Sequence, residues 1–344
     1  MIKKIIEEAF ILKSKGFYKH AIEALYKALE YDNTSSELFL EIADSYYQMG
    51  EVERAVSYIE QILEKDSMHI PSLELLKQIF LDKNALVEAT KTAENIYSIS
   101  QNLEDFIEIL KLLNKQKKYN EVIEYNIQSE DAEIFAEKAI AYLFTNNLEQ
   151  AQSLIDKALT LRPNCPEFLL TKGKILFKKG EEELTAEILK NISIDKNNSD
   201  MLNFAGLVEQ QNGNYKKSVE YFLNAINLSP QNDEYYYNCA STYFKMNENA
   251  LAKKYYNLAI SLNPDNPSYH IALANLYYSE KQFKRALEEL EYDFYEANFL
   301  KSAILFDSGY YAMAKKGLLA LKEERPNDFM VDEYLNKIEE KLKF

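Results

Sequence analysis

The sequence predicts an all-α protein, a solenoid of about ten helix pairs with a capping helix at its C-terminal end. Small residues recur with a period close to 34 along most of the 344 residues, and within each period the apolar residues follow helical spacing. With only 8 Gly and 7 Pro, the chain has few turn-forming residues. That scarcity argues against an all-β fold, which needs many tight turns.

The period is carried by a small or short residue with a large apolar residue three or four positions later. Successive markers are 33 or 34 residues apart, except at two places where the spacing falls to 29 and 28. A period held over most of the chain is typical of repeat architectures. The markers are Ala21, Ala55, Ala89, Val122, Ala151, Thr185, Ser218, Ala252, Ala286 and Ala314.

Each period contains two amphipathic helices, as residues 233–266 illustrate. A second marker, Ala or Gly in seven of ten periods, lies twelve residues before the first, and small residues at both sites allow the two helices to approach closely. Pro264 stops the second helix, because the residue before a proline disfavours the α conformation. One face of the first helix carries Tyr236, Cys239, Ala240 and Tyr243, and one face of the second carries Leu251, Ala252, Tyr255, Tyr256 and Ala259.

Two periods are irregular, and they divide the chain. The second helix of residues 103–131 is predicted to stop near Gln128, and that of residues 267–294 near Tyr292. A neighbouring pair would then dock on less surface, so we expect a change of superhelical pitch at both places. The expected domains are residues 2–131 (repeats one to four), 132–294 (repeats five to nine) and 295–344 (repeat ten and the cap). The cap carries Met330, Tyr334, Leu335, Ile338 and Leu342 on one predicted face.

The repeat resembles the tetratricopeptide repeat over about residues 2–328. That family's pattern asks for a bulky residue, Leu-Gly or Leu-Ala, Tyr, Gly, Ala, an aromatic residue, Ala and Pro. The bulky slot holds no Trp in this chain, which departs from the pattern. The resemblance implies a right-handed α-solenoid. It is carried by Leu202, Ala205, Gly206, Gly213, Ser218, Phe222, Ala225 and Pro230, and by Phe39, Ile42, Ala43, Tyr46, Gly50, Ala55, Ile59 and Ile62.

Charge and composition exclude several classes of function. With 40 basic and 55 acidic residues the net charge is −15, which disfavours nucleic acids and anionic membranes as partners. Two cysteines are too few for a disulfide scaffold. Acidic residues interrupt the N-terminal segment before any signal-like apolar stretch, and no apolar run approaches 18 residues. We therefore expect a cytoplasmic protein.

The sequence shows no motif for catalysis, a cofactor or a metal. The three histidines, His20, His69 and His270, have no ligand-type residue at metal-binding spacing. Cys239 falls at a core position, where an inert thiol is expected. A phosphate-binding glycine loop and a nucleophile elbow are both missing from the sequence. We predict a non-enzymatic protein without a cofactor.

The resemblance implies that the first helix of each repeat lines a concave groove that binds a peptide or protein segment. Aromatic side chains that face solvent there would bury apolar partner side chains, and Asn238 and Asn275 would hold the partner's backbone. The alternative is that both asparagines are simply consensus repeat residues. The predicted binding residues are Leu170, Phe177, Asn203, Tyr237, Asn238, Ser241, Phe244, Ile271, Asn275 and Tyr278.

The corresponding positions of repeats one to three are acidic, with Glu37, Glu41, Asp44 and Glu74 among them. A partner with a basic segment would suit this stretch. The alternative is a solvated acidic face that serves only solubility. Repeats that clamp the C-terminal carboxylate of chaperones carry basic residues at slots that hold none here, so that use is set aside. The predicted function is a scaffold or adaptor that binds in the groove. The alternative is a structural subunit that docks through its convex or end surfaces.

Overall fold

A computed structural model describes residues 2–125, 129–192 and 194–342. Within these ranges the chain forms 21 helices and no strand. It divides into two compact units, Met1–Lys179 and Gly180–Phe344. Consecutive helices form nine of the ten predicted pairs within the units, whereas the eleventh and twelfth helices, the predicted sixth pair, belong to different units. We number the repeats in chain order, so that the first two helices are repeat one and the nineteenth and twentieth are repeat ten.

The first unit contains eleven helices in the part of the chain that the structure describes. They are α1 Ile2–Ser14, α2 Tyr18–Leu29, α3 Ser36–Gln48, α4 Val52–Lys65, α5 Ile70–Asp82, α6 Leu86–Ser100, α7 Leu103–Lys115, α8 Tyr119–Glu124, α9 Ala132–Phe144, α10 Leu148–Leu161 and α11 Pro166–Lys179.

The second unit contains ten described helices, of which the last is the cap. They are α12 Glu182–Asn191, α13 Ser199–Gln211, α14 Tyr215–Leu228, α15 Asp233–Lys245, α16 Asn249–Leu262, α17 Pro267–Ser279, α18 Phe283–Glu288, α19 Tyr295–Asp307, α20 Tyr311–Glu324 and α21 Phe329–Lys341.

The small markers lie where two helices of a pair meet. Ala21, Ala55 and Ala252 are fully buried. In repeat seven, a Cβ atom added to Gly206 would lie 2.6 Å from the Phe222 ring, so only glycine permits this approach. The Ser218 hydroxyl donates to the Gly206 carbonyl oxygen at 2.8 Å. The 34-residue period therefore reflects a packing requirement that each helix pair repeats.

The helix ends follow local chemistry. The side chains of Asn198 and Asn232 accept hydrogen bonds from backbone N–H groups in the first turns of α13 and α15, at 3.0 and 3.1 Å. Gly213 has a φ of +77° directly after the end of α13. Glycine adopts this left-handed conformation without strain, so it suits the sharp turn into α14.

Both predicted short second helices are confirmed. α8 and α18 have 6 residues each, whereas α14 and α16 have 14. α18 ends at Glu288, ahead of Tyr292, and Gln128 lies outside the described residues. The expected change of pitch stays a prediction. One shortened helix was not predicted: α12 has only 10 residues, although the marker spacing around it is regular.

The cap α21 packs on repeat ten through three of the five predicted residues and through Val331 in addition. Val331, Leu335 and Ile338 are buried against repeat ten, and Tyr334 is half-buried there. Met330 and Leu342 are exposed, so their assignment to the packed face was wrong. The buried set has the spacing i, i+4, i+7, which is one helical stripe.

Candidate functional site

The predicted binding residues lie on the first helices of both units. Leu170 and Phe177 are on α11 in the first unit, and the other eight are on α13, α15 and α17 in the second. Asn275 is exposed, and Phe177, Tyr237, Ser241, Phe244, Ile271 and Tyr278 are half-buried. The expectation that all ten are exposed is wrong for Leu170, Asn203 and Asn238, which are only 7%, 6% and 7% exposed.

Asn203 and Asn238 are buried because they bond to each other. Asn238 Nδ2 donates to Asn203 Oδ1 at 2.9 Å, which joins the first helices of repeats seven and eight. One donor of Asn238 and one acceptor of Asn203 are thus engaged inside the protein. The role of Asn238 in holding a partner's backbone stays a prediction and rests on its remaining amide atoms.

Tyr237 belongs to an aromatic cluster that spans repeats eight and nine. Its ring stacks on Tyr269 with 5.1 Å between centroids, and it lies 5.8 Å from the Tyr256 ring. Burial raises the pKa of the Tyr237 hydroxyl, and this hydroxyl has no hydrogen-bond partner among the described residues. A half-buried tyrosine with a free hydroxyl can offer an apolar ring and a donor together.

Three other tyrosines on these first helices have their hydroxyls bound to carboxylates. The Tyr235 hydroxyl donates to Asp200 at 2.6 Å, and the Tyr269 hydroxyl donates to Asp233 at 2.7 Å. Both bonds join successive repeats. The Tyr278 hydroxyl likewise donates to Asp307 on α19. These tyrosines are held in place by the protein itself, whereas Tyr237 is held only by its ring.

The sequence predicted that α15 has one exposed groove face and one buried packing face, but the structure separates the two faces less clearly. Phe244, predicted to face the groove, packs partly against the buried cluster around Leu273 and Leu276. Tyr243, predicted to be core, is half-buried and stacks on Tyr255 at 5.5 Å. Both flanks of α15 are therefore partly covered, because a first helix contacts neighbours on two sides.

Two of the four predicted acidic positions of the first unit share one lysine. Lys13 of repeat one contacts Glu41 and lies 2.6 Å from Asp44, both of repeat two. Burial lowers the pKa of Lys13, but the bonds to Asp44 and Glu41 outweigh it and leave the pKa raised. Glu37 and Glu74 are exposed. The pattern continues with Lys77 to Glu108 at 2.5 Å.

Each unit buries one carboxylate on a first helix, and neither was singled out from the sequence. Glu137 on α9 is 9% exposed and accepts from Asn114 Nδ2 at 2.7 Å; burial raises its pKa. Glu209 on α13 is 7% exposed. Burial raises its pKa, but hydrogen bonds from Lys217 at 2.5 Å and Asn214 at 2.8 Å outweigh this and leave the pKa lowered.

Cys239 and His270, two side chains of reactive type, have contacts that explain them as parts of the fold. Burial raises the pKa of the Cys239 thiol to about 12, as expected for an inert core cysteine. His270 on α17 contacts Glu289 at 2.9 Å through Nδ1 and the Pro264 carbonyl oxygen at 3.1 Å through Nε2, so it links the residue after α18 to the loop that precedes α17. Over the described ranges, no cluster of three metal-ligating side chains is found.

None of the described helices is both long and apolar enough to cross a membrane. The helix pairs, their buried small residues and their period instead invite comparison with known repeat proteins.

Four models of the tetratricopeptide repeat match the chain. They cover residues 14–79, 137–190, 206–247 and 233–266, together more than half of it. One crystal structure with a similar fold is that of the APC/C hetero-tetramer Cut9–Hcn1. A chain of that structure is 14% identical with a TM-score of 0.63, and the match covers 98% of this chain and 76% of that one.

Curated relatives include subunits of two assemblies. BBSome complex member BBS4 of Bos taurus is 29% identical over 138 residues, 39% of this chain and 26% of that protein. Its Drosophila melanogaster homolog is 21% identical over 264 residues, 71% of this chain and 54% of that protein. Anaphase-promoting complex subunit 7 of Dictyostelium discoideum is 22% identical over 57% of this chain and 35% of that protein.

The chain thus spans between about a quarter and about half of the length of these relatives. The predicted fold class, an α-solenoid of tetratricopeptide-like helix pairs, is confirmed. The chain belongs to the tetratricopeptide repeat family, whose members are protein-interaction scaffolds and subunits of assemblies.

Proposed function

We propose that the chain is a non-enzymatic cytoplasmic adaptor that binds a peptide or protein segment along the first helices of the second unit. The observation that carries this proposal is the state of Tyr237. Its ring is fixed by Tyr269 and Tyr256 while its hydroxyl has no partner among the described residues. The tyrosines beside it, Tyr235 and Tyr269, already have their hydroxyls bound to carboxylates.

Binding would combine apolar burial with backbone recognition. Partner side chains would pack on Tyr237, Phe244 and Tyr278, which are half-buried and packed against neighbouring side chains. The Tyr237 hydroxyl would donate to a backbone carbonyl of the partner, and exposed Asn275 would accept and donate through its amide. Ser241, Ile271 and the free amide atoms of Asn203 and Asn238 would complete the surface, and Leu170 and Phe177 would serve the first unit in the same way.

A basic stretch in the partner would suit the first unit. Exposed Glu37 and Glu74 have carboxylates available to it, whereas Glu41 and Asp44 are already shared with Lys13. The same negative charge, −15 overall, is why we propose a protein rather than a nucleic acid as the partner. No step of the proposed function uses a cofactor or a metal.

The second candidate is a structural subunit of a larger assembly. It is favoured by relatives named as members of the BBSome and the anaphase-promoting complex. In that case the convex or end surfaces would carry the contacts, and the first-helix residues would matter only for folding.

Affinity purification of the full chain from its source cells tests the two candidates. The adaptor predicts one stoichiometric partner, which Tyr237→Ala combined with Phe244→Ala loses while the variant remains folded. The assembly predicts several subunits that co-purify equally with the variant. If the double variant retains a single partner at full occupancy, the first-helix face is not the binding surface.

A further inference from the structure

Two clefts of the second unit occupy equivalent positions in repeats seven and ten. Each has a volume of about 590 Å³ and lies on the flank where the first and second helices of its repeat meet. Leu202, Lys217, Tyr221 and Leu228 line the cleft of repeat seven, and their repeat equivalents Asn298, Met313, Gly317 and Glu324 line that of repeat ten. Because the two clefts occur at the same position of their repeats, we expect one structural cause for both.

The cause is the length of the preceding second helix. In repeat eight this flank is covered by α14, which has its full 14 residues. There Phe222 and Ile226 of α14 pack in one cluster with Tyr236, Tyr243 and Tyr255. The clefts occur after α12 and α18, which have 10 and 6 residues. The last turns of a second helix are therefore the normal cover of this flank, and repeats seven and ten lack them. The second helix α8 is short as well, but residues 126–128 after it lie outside the described residues.

The segment after the short helix lines the cleft in repeat seven but hardly reaches it in repeat ten. After α12, Ile194 packs on the apolar cluster of repeat seven and lines its cleft. After α18 the chain turns elsewhere: Leu290 is buried with Ala274 and Ile304. The Tyr292 hydroxyl donates to the Pro264 carbonyl oxygen at 3.2 Å. Only Asp293, just before α19, reaches the cleft of repeat ten.

The cleft of repeat ten has two apolar walls and a charged rim. Gly317 stands where repeat eight has Tyr255 and lies against Ser302 of α19, so no aromatic ring fills the centre and a trench remains. Leu305 and Met313 are apolar walls, and Met313 is 60% exposed. Lys301 and Lys316 lie on the rim, and neither forms a salt bridge within the described part of the chain. Asp293 and Glu324 line the same cleft, so the rim carries two cations and two carboxylates. An uncovered apolar trench with such a rim favours an amphipathic occupant that has charged residues beside its apolar face.

We propose that the cleft of repeat ten binds a short amphipathic α-helix of a partner protein, which takes the place of the missing turns of α18. α18 is 8 residues shorter than α14 and α16, which corresponds to about two turns of helix. Apolar side chains at i and i+4 of the partner fill the trench beside Gly317. A carboxylate on the adjacent face binds Lys301 or Lys316. This surface shares no residue with the proposed groove, so it is a second binding function.

A display library of helical peptides tests the proposal with the full chain. The probes are as long as α16, 14 residues, with one apolar face randomised and acidic residues beside it. Enriched peptides are then measured by fluorescence anisotropy. Because Ala320 is exposed and lines the cleft, Ala320→Glu should weaken binding about ten-fold or more. Lys316→Ala should weaken it about three-fold, as a partly exposed ion pair would.

Leu319→Glu is the matched control. Leu319 directly precedes Ala320 in α20, is 46% exposed and does not line the cleft. The Leu319→Glu variant should therefore bind the peptides as the wild type does. Thermal unfolding checks that each variant folds, and Lys316→Glu, a charge reversal at an exposed site, replaces Ala320→Glu if that variant is unstable. Tyr237→Ala with Phe244→Ala should leave helix binding unchanged, which separates this proposal from the groove.

Three results would overturn the proposal. The first is that the library enriches no more binders than a control library in which proline interrupts the helix. The second is that the enriched helices bind Ala320→Glu as tightly as the wild type. The third is that the chain self-associates through this cleft. In the last case sedimentation shows a dimer that Ala320→Glu dissociates, and a second copy of the chain is the occupant.

Discussion

The first helices of the two units are tied together by different chemistry. In the first unit, successive repeats are joined by ion pairs such as Lys13 with Asp44 and Lys77 with Glu108. In the second, they are joined by the amide pair Asn203–Asn238 and by the stack of Tyr237 on Tyr269. Charged pairs respond to salt and pH, whereas stacked rings and buried amides do not. One repeat geometry is thus compatible with two kinds of lateral contact.

The largest expected effect concerns the cores, where the units should not differ. Phe222 in the second unit and Ile59 in the first are both fully buried. Phe222→Ala should cost about 3–5 kcal/mol of unfolding free energy, and Ile59→Ala about 2–5 kcal/mol, because each leaves a cavity. Urea unfolding followed by circular dichroism measures both.

Hydrogen exchange then locates the damage. Each variant should lose protection mainly in its own repeat and its immediate neighbours, since repeat proteins are held by nearest-neighbour interfaces. A uniform loss of protection over both units after either substitution would contradict this expectation.

A smaller effect separates the two kinds of tyrosine in the second unit. Tyr269→Phe removes a hydroxyl that donates to Asp233, so it should cost about 1 kcal/mol of stability or somewhat more. Tyr237→Phe removes a hydroxyl with no partner among the described residues, so stability should not change. The affinity for the adaptor's partner should instead fall by about 0.5–1.5 kcal/mol. Chemical denaturation and titration calorimetry measure the two quantities.

The outcome is decisive for the groove. If Tyr237→Phe is fully stable and binds its partner as tightly as the wild type, then the free hydroxyl has no role in recognition. The proposal would then rest on the aromatic rings alone.

How far the sequence predicts this molecule is visible in particular residues. The helix pairs follow from Ala21, Ala55 and their counterparts, because a contact that only a small side chain permits repeats with the helix pair itself. The burial of Asn238 could not be predicted, since its partner Asn203 is 35 residues earlier and depends on how repeats stack. The early end of α12 could not be read from the sequence, because the helix ends at Asn191 without a Pro or Gly at that position.

The two buried carboxylates should respond to pH with opposite sign. The pKa of Glu209 is lowered in the folded protein, so its contribution to stability is present above the unfolded pKa, about 4.3, and is lost as the pH falls through the folded value. Glu209→Gln should therefore cost about 1 kcal/mol at pH 7, and the difference from wild type should shrink in acid.

Glu137 is the matched case in the first unit. Its pKa is raised by burial, so it carries no penalty below the unfolded pKa and a full penalty above the folded one. Glu137→Gln should be at least as stable as the wild type at pH 7, with the gain disappearing as the pH falls. Urea unfolding from about pH 3 to pH 8 measures both variants, because the loss for Glu209 occurs below the unfolded pKa of about 4.3. If the two show the same pH dependence, the contrast drawn from Lys217 and Asn114 is wrong.

The smallest expected effect tests the ion pairs themselves. Lys13→Gln removes the contacts of one ammonium group with Glu41 and Asp44, side chains about a quarter exposed in each case. Pairs of this kind contribute little because water and side-chain entropy offset the attraction, so the loss should be about 0.5 kcal/mol. At 1 M salt the screening length is about 3 Å, and the difference should nearly vanish.

Lys19→Gln, at an exposed lysine of α2, is the control and should be neutral at both salt concentrations. Urea unfolding at low and high salt measures the four values. A loss that persists at 1 M salt would mean that Lys13 stabilises the first unit by packing its aliphatic stem between repeats. The contacts between successive repeats would then depend on packing in both units. The difference between acidic and aromatic side chains would concern only the surfaces that are available to a partner.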